Sequence, residues 1–297
     1  MLNSPGKEFR QLVNHENPLQ IVGAINAYCG LQAKQVGFKA AYVSGAGVAN
    51  ACYGLPDLGI TSLDNVTTEV ARIYDATGLP LLVDADTGWG NVFNISRTVK
   101  HLIKAGAAAM HIEDQIAFKR CGHRPNKTIV SVNEMVNRIT SAVEAKLPVD
   151  ENFVIMARTD AIASEGVDAA IHRAQQYVAA GADMLFPEAI DSLQTYRKFC
   201  SAVSVPVLAN LTEFGQTPLL TVDELRQAGV KMALYPLSAF RAMAKAAEAT
   251  YQTIYHHGTQ VSAIKTMQTR SELYEVLDYY SYERALDTLL VPGSDDE

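Results

Sequence analysis

The chain has 297 residues, 48% of them hydrophobic and 19% charged, with a formal net charge of −7, which is an ordinary globular composition. The negative balance argues against nucleic acid or an anionic membrane surface as the main partner, and no apolar run approaches the ~18 residues of a membrane span. The four cysteines, Cys29, Cys52, Cys121 and Cys200, form no C-x-x-C pair and are too few to staple a chain this long. The opening MLNSPGKEFRQLV lacks the apolar segment of a secretory leader, so a cytoplasmic location is expected.

Residues 1–18 are polar, contain Pro5 and Pro18, and predict a short helix across one end of the domain. A repeating pattern follows. Residues 20–26 predict a strand and 30–36 a helix stopped by Gly37. A second strand, 40–44, leads into a glycine-rich loop and a helix over 62–77. The third strand spans 81–86 with a helix at 95–104, the fourth 108–113 with a helix at 132–145, and the fifth 153–158 with a helix at 167–180. The sixth strand spans 184–188 with a helix at 193–203, the seventh 207–210 with a helix at 222–227, and the eighth 232–235 with a long helix at 238–256. Residues 271–290 read as one more helix within a C-terminal helical extension, 258–297, and 292–297 read as disordered.

Eight strand–helix units with strand cores of Val, Ile, Leu and Ala imply a parallel sheet covered on both faces. Eight units in a chain of this length predict a single α/β domain, a closed (β/α)8 barrel of the TIM type with extra helices at both ends. An open doubly wound sheet is the rival, but it usually has fewer units and a nucleotide fingerprint. Gly45-x-Gly47 is a weak version of that fingerprint, because Asn50 stands where the third glycine belongs. Three helices end in Ala-Gly (105–106, 180–181, 228–229), where a glycine can take the left-handed turn that stops a helix.

The polar residues collect at the strand ends. Strand two ends in Ser44-Gly45-Ala46-Gly47, strand three in Asp84 and Asp86, and strand four in Glu113-Asp114. Strand five ends in Arg158-Thr159-Asp160, strand six in Glu188, and strand seven in Asn210 and Thr212. In a barrel these ends converge on one mouth. Asp84 and Asp86, two apart on a strand, should face the same side, where two carboxylates repel unless one is protonated or a cation lies between them. A hard divalent cation suits such a pair. The serine and glycine amides and the Arg158 fork suit a carboxylate. Shortly after strand four, Lys119-Arg120-Cys121-Gly122-His123 surrounds a cysteine with basic groups, a setting expected to favour thiolate. Isolated, each of these residues is a cap, a solvated acid or an inert cysteine; together they point to chemistry on a small anion beside a metal.

KRCGH, about 35 residues after the D-A-D at 84–86, resembles the isocitrate lyase and phosphoenolpyruvate mutase superfamily. The similarity to its methylisocitrate lyase family runs through SPGKEFR, LPDLGI, KRCGHRPNK, FVIMARTDA, LFPEA, TEFGQTPL, MALYPLSAFRAM and TMQTRSELYE. Isocitrate lyases proper carry a lysine where Arg120 stands and are much longer. The resemblance implies a homotetramer of barrels with the last barrel helix exchanged between neighbours. It also implies Mg2+, or Mn2+, held by Asp84 and Asp86, with Asp57 and Glu113 reaching the metal through water. It implies Cys121 as general acid, with His123 and Glu188 passing its proton and Tyr42 as base. Substrate would be held by Ser44, Gly45, Ala46, Gly122, Arg158, Glu188, Asn210, Leu211, Thr212, Arg241 and Arg270. The implied reaction is retro-aldol (retro-Claisen) cleavage of (2S,3R)-2-methylisocitrate to pyruvate and succinate, a step of propionate degradation. Isocitrate cleavage, phosphonopyruvate chemistry and oxaloacetate decarboxylation are the sibling activities. Mutases and decarboxylases generally lack KRCGH. A carboxylate-binding barrel without catalysis is the reading from another class.

Overall fold

The computed structural model describes residues 4–290. Eight strands, β1 (Leu19–Gly23), β2 (Ala40–Val43), β3 (Leu81–Asp84), β4 (Ala109–Glu113), β5 (Val154–Thr159), β6 (Met184–Pro187), β7 (Leu208–Asn210) and β8 (Met232–Tyr235), alternate with helices. All the named strand pairs are parallel, in the order β6-β5-β4-β3-β2-β1-β8-β7. The ring closes between the outermost two through a parallel bridge, Leu185 to Val207, and the Leu185 amide donates to Pro206 O at 3.0 Å. The expected (β/α)8 barrel is therefore the fold, and the doubly wound sheet is excluded.

The helices are α1 (Pro5–His15), α2 (Ala27–Val36), α3 (Gly45–Gly47), α4 (Leu63–Thr77), α5 (Val92–Lys104), α6 (Val132–Lys146), α7 (Ile162–Glu165), α8 (Val167–Ala179), α9 (Leu193–Ala202), α10 (Val222–Gln227), α11 (Ser238–His257), α12 (Arg270–Val276) and α13 (Tyr279–Leu290). Side-chain caps set most of their starts. Asn26, Ser62, Asn91, Ser131, Ser192 and Thr221 each accept a backbone N–H of the first turn. Gly106, Gly181 and Gly229 follow their helices with φ of 92°, 102° and 86°, as the Ala-Gly signal anticipates.

Alternate residues of each strand divide two cores. One set packs the outer face against the helices, around Val43, Leu81, Val83, Met110, Ile155 and Leu185. The other fills the barrel, with Ile21, Ala40, Tyr42, Leu82, Ala109, Met156, Phe186, Leu208 and Leu234. Phe9 and Val13 of α1 join that interior set, so α1 stoppers the N-terminal mouth. Arg10 pins it there, donating to Asn152 O at 2.7 Å and pairing with Asp183 at 2.7 Å.

Four local expectations need correction. The third strand stops at Asp84; Asp86 lies beyond it with φ 46°, so a left-handed turn and not strand alternation brings the two acids together. The segment after β2 is no loop: Ser44 accepts the Gly47 amide at 3.1 Å and caps α3, which runs on into a π-turn at Val48–Cys52. The helix predicted at 30–36 starts at Ala27, because Asn26 caps it. The helix predicted over 271–290 breaks at Asp278, φ 51°, into α12 and α13.

One compact unit ends at Arg241 and a second begins at Ala242. The second holds the rest of α11, a 3-10 turn (Val261–Thr266), α12 and α13, with the rings of Tyr274 and Tyr279 stacked 4.1 Å apart. The expected disorder at 292–297 falls outside the described residues. Among the described residues no helix is long and apolar enough to cross a membrane.

Candidate active site

The inward rows change character along the barrel. They run from apolar at the plugged end through Tyr42, His111 and Phe186 to acids, amide and arginine at the carboxyl ends. There Tyr42, Ser44, Ala46, Asp57, Asp84, Cys121, Gly122, His123, Arg158, Glu188, Asn210 and Thr212 line one cavity of about 60 Å³, closed on another side by Phe186, Leu234, Pro236 and Leu237. That volume suits about two water molecules, and Cys121, Gly122 and His123 form part of its wall, so the 119–125 loop lies against the site.

The acids form a tight set. Asp84 Oδ2 accepts the Gly45 amide at 3.1 Å, and Asp84 Oδ1 accepts the Asp86 amide at 3.1 Å. Lys119 Nζ stands 2.5 Å from Asp86 Oδ1 and 2.6 Å from Asp57 Oδ1. Burial and the neighbouring Asp84 push Asp86 up to about 7. Against the same burial penalty, His111, Lys119 and Arg158 hold Asp84 low. Burial lifts Glu113 well above the carboxylate range, although Arg158 Nη1 is 3.3 Å away. Glu113 Oε2 is buried and makes no hydrogen bond.

Such a set fits a hard cation. Two acids meet at one point, a third has an oxygen held only by the 3.3 Å ion pair to Arg158 and by no hydrogen bond, and an ammonium already partly neutralises the first two. Among the described residues no three His, Cys, Asp or Glu side chains close into a metal cage. A magnesium-type site does not need one, since water and substrate fill its remaining positions.

Arg158 is the other charge centre. Its guanidinium reaches Glu113, Asp160 (Nε–Oδ2 2.9 Å) and Glu188 (Nη2–Oε2 3.2 Å). Burial alone would raise Glu188, but Arg158 and His123 hold its carboxyl well below the usual range. The Gln216 amide donates to His123 Nδ1 at 3.1 Å. The ring proton therefore sits on Nε2, 3.1 Å from Glu188 Oε1.

The thiolate expected from the basic sequence around Cys121 is not what the fold produces. Burial pushes the thiol up, and Asp57 and Glu188 add to the rise against the His123 amide and Arg158. Three of the basic neighbours are committed elsewhere: Lys119 to Asp57 and Asp86, Lys127 to Asp160, and His123 to Glu188. Cys121 thus keeps its proton at neutral pH.

Other expected residues meet the site differently. The Gly45 and Gly47 amides, expected to receive a carboxylate, are taken by Asp84 and Ser44. The Leu211 amide donates to Leu234 O at 2.8 Å and its side chain is core. Arg241, 43% exposed, is 3.6 Å from Glu213 and lies over the Phe214 ring. Arg270 opens α12 in the second unit and is exposed. Burial and Asp84 keep the Tyr42 phenol neutral. Its oxygen lies 2.8 Å from His111 Nε2, and burial lowers that imidazole to about 4. His111 is the buried polar residue that motif reading passes over. Its signal was its place in AMHIE, two residues from Ala109 and from Glu113, on the inward row.

A barrel whose carboxyl mouth joins an acid set, an arginine fork and a cysteine on a closing loop defines a class of enzymes acting on small carboxylates. The phosphoenolpyruvate phosphomutase family model matches residues 9–255, and the chain belongs to that family. Within it the chain is a carbon–carbon lyase: it is 64% identical over 289 residues to the 2-methylisocitrate lyase of Escherichia coli, covering 97% of both chains. Among solved structures it resembles oxaloacetate acetylhydrolase in complex with 3,3-difluorooxalacetate, at 31% identity and TM-score 0.89 over 98% of each chain. It also resembles phosphonopyruvate hydrolase in complex with oxalate and Mg2+, at 25% identity and TM-score 0.85 over 98% of this chain and 100% of that one.

Proposed function

We propose that the chain cleaves 2-methylisocitrate to pyruvate and succinate. The observation that carries this reading is that Cys121, Asp84 and Arg158 line one small cavity in a chain so similar to a lyase of that name. Asp84 and Asp86, with Asp57 and Glu113 behind water, would hold Mg2+ or Mn2+. When bound, that ion supplies Lewis-acid polarisation at the substrate hydroxyl and its neighbouring carboxylate.

The rest is done by side chains. Arg158, Asn210 and Thr212 hold the carboxylates of the departing half and meet the charge that builds there as the carbon–carbon bond breaks. The bond's electron pair goes to the succinate carbon, and the Cys121 thiol caps that carbon with its proton. Tyr42, being neutral, accepts the hydroxyl proton only by passing its own across the 2.8 Å contact to His111. As the products leave, the proton held at His111 passes to water, and the His123–Glu188 pair relays a proton from solvent back to the sulfur. The shut loop keeps bulk water from the carbanion.

A coupled assay for pyruvate release, with methylisocitrate and isocitrate side by side, tests this. Pyruvate from methylisocitrate, lost with EDTA and restored by Mg2+, is expected, and Asp86→Asn should abolish the Mg2+ response. Faster turnover of isocitrate, or release indifferent to chelator, overturns the reading.

The same proposal places the enzyme in the cytoplasm as a homotetramer. No residue of α11 is buried within the single chain, and its Met243, Tyr251, Ile254 and Tyr255 are all exposed, which supports a helix exchanged with a neighbour. Light scattering should give four chain masses; a monomeric mass removes the exchange.

A further inference from the structure

We infer that Lys127 is a positioning residue that latches the Cys121 loop shut and, with the same ammonium, fixes the direction of the Arg158 guanidinium. The inference rests on the lyase reading for its kinetics but not for its geometry. Lys127 ends the KRCGHRPNK stretch, and its side chain is only 4% exposed. Its Nζ donates to Gly122 O at 2.5 Å and to Asp160 Oδ1 at 2.7 Å. Burying an ammonium is costly unless well-placed partners compensate it, and both partners here belong to the site.

The first is the loop itself. Gly122 follows Cys121, and its main chain lies against the anion grip: a Cβ at Gly122 would stand 2.4 Å from Arg158 Nη2 and 2.6 Å from Glu188 Oε2. The second is the wall. Asp160, whose side chain is fully buried, accepts Arg158 Nε at 2.9 Å and Nη2 at 3.2 Å. It is held from behind, its amide donating to Asp114 Oδ1 at 2.8 Å, while Asp114 Oδ2 takes Thr159 Oγ1 at 2.7 Å and Tyr177 Oη at 2.9 Å.

The latch also has a fixed root. Ile116 N donates to Thr128 O at 3.0 Å, and Gln115 bridges to Ile129, so the loop's exit is tied to its entrance beside Lys127. Opening the loop removes Gly122 O from the ammonium and leaves it with Asp160 alone. Closure and the aim of Arg158 therefore share one cation.

Limited trypsinolysis with fragment masses, run beside steady-state kinetics, tests this in the full-length enzyme. The loop bonds after Lys119 and Arg120 report opening; Arg124 precedes Pro125 and resists. Lys127→Met should be cut at those two bonds about 10-fold faster, since cleavage follows the open population. Its kcat should fall about 100-fold, the scale of a small misplacement of catalytic groups, and Lys127→Arg should regain much of both. If Lys127→Met does not fold, Lys127→Gln, which can still donate to Gly122 O, takes the same measurements. A kcat within about 3-fold of the parent overturns the inference. So does lost activity with unchanged loop cleavage, or cleavage rising equally at sites throughout the chain, which marks a merely structural lysine. If the parent does not cleave methylisocitrate, the proposed function fails while the trypsin comparison still reads the latch.

Discussion

Cys121→Ser is expected to fold and to lose about three orders of magnitude in kcat, or ~4 kcal/mol of transition-state stabilisation. Serine nearly matches cysteine in shape, and Cys121 is only half-buried, so the urea midpoint should move by the equivalent of less than about 0.5 kcal/mol. Chemistry separates them. A hydroxyl is a far weaker acid than a thiol, and the burial and acids that already push the Cys121 thiol up would make a hydroxyl still less willing to release its proton. The carbanion would be left to water, which the shut loop excludes. Near-parental turnover by the serine variant would take the sulfur out of the mechanism.

Arg158→Leu should show the other large effect, on stability as well as activity. The guanidinium is the shared partner of Glu113, Asp160 and Glu188, all buried. Removing one partner from such a buried set leaves charge uncompensated and costs about 3–5 kcal/mol. For a domain of this size that lowers Tm by roughly 10 °C, with no measurable lyase activity. Arg158→Lys separates the two roles. It returns a cation, and so most of the melting temperature, but a point charge cannot make the fork to Asp160 and reach Glu188 together, so activity stays low. An unchanged Tm in Arg158→Leu would mean that the three acids are held by something else.

Much of the barrel was legible in the chain because its physics is local and repeated. Each strand is a short apolar run, most helices begin at a capping side chain, and several, at Gly37, Gly78, Gly106, Gly181 and Gly229 among them, are stopped by a glycine with positive φ. The ring of candidate side chains was legible for a related reason: they sit at or just past the apolar core of their strands, and the fold brings them to one cavity. What escaped depends on contacts between distant segments. The thiolate expectation failed because Lys119 and His123, each two residues from Cys121, point to Asp86 and Glu188, which follow other strands. Sequence proximity counted charge that tertiary pairing had already spent. Asp86 reached the right place by a turn that no alternation rule describes. His111 escaped because a lone imidazole in an apolar strand gives no signal until the inward row is traced from Ala109 to Glu113. The glycines after β2 suggested an anion loop, yet a serine cap and an aspartate claim two of their amides.

The stopper made by α1 has a consequence for traffic. With Phe9 and Val13 packed inside the strands, the barrel is a vessel open at one end only. Substrate, both fragments and any exchanging water must use the same doorway that the cysteine loop guards. On the proposed mechanism each cycle opens and shuts that loop, so the speed of its motion sets a ceiling on turnover however fast the bond breaks.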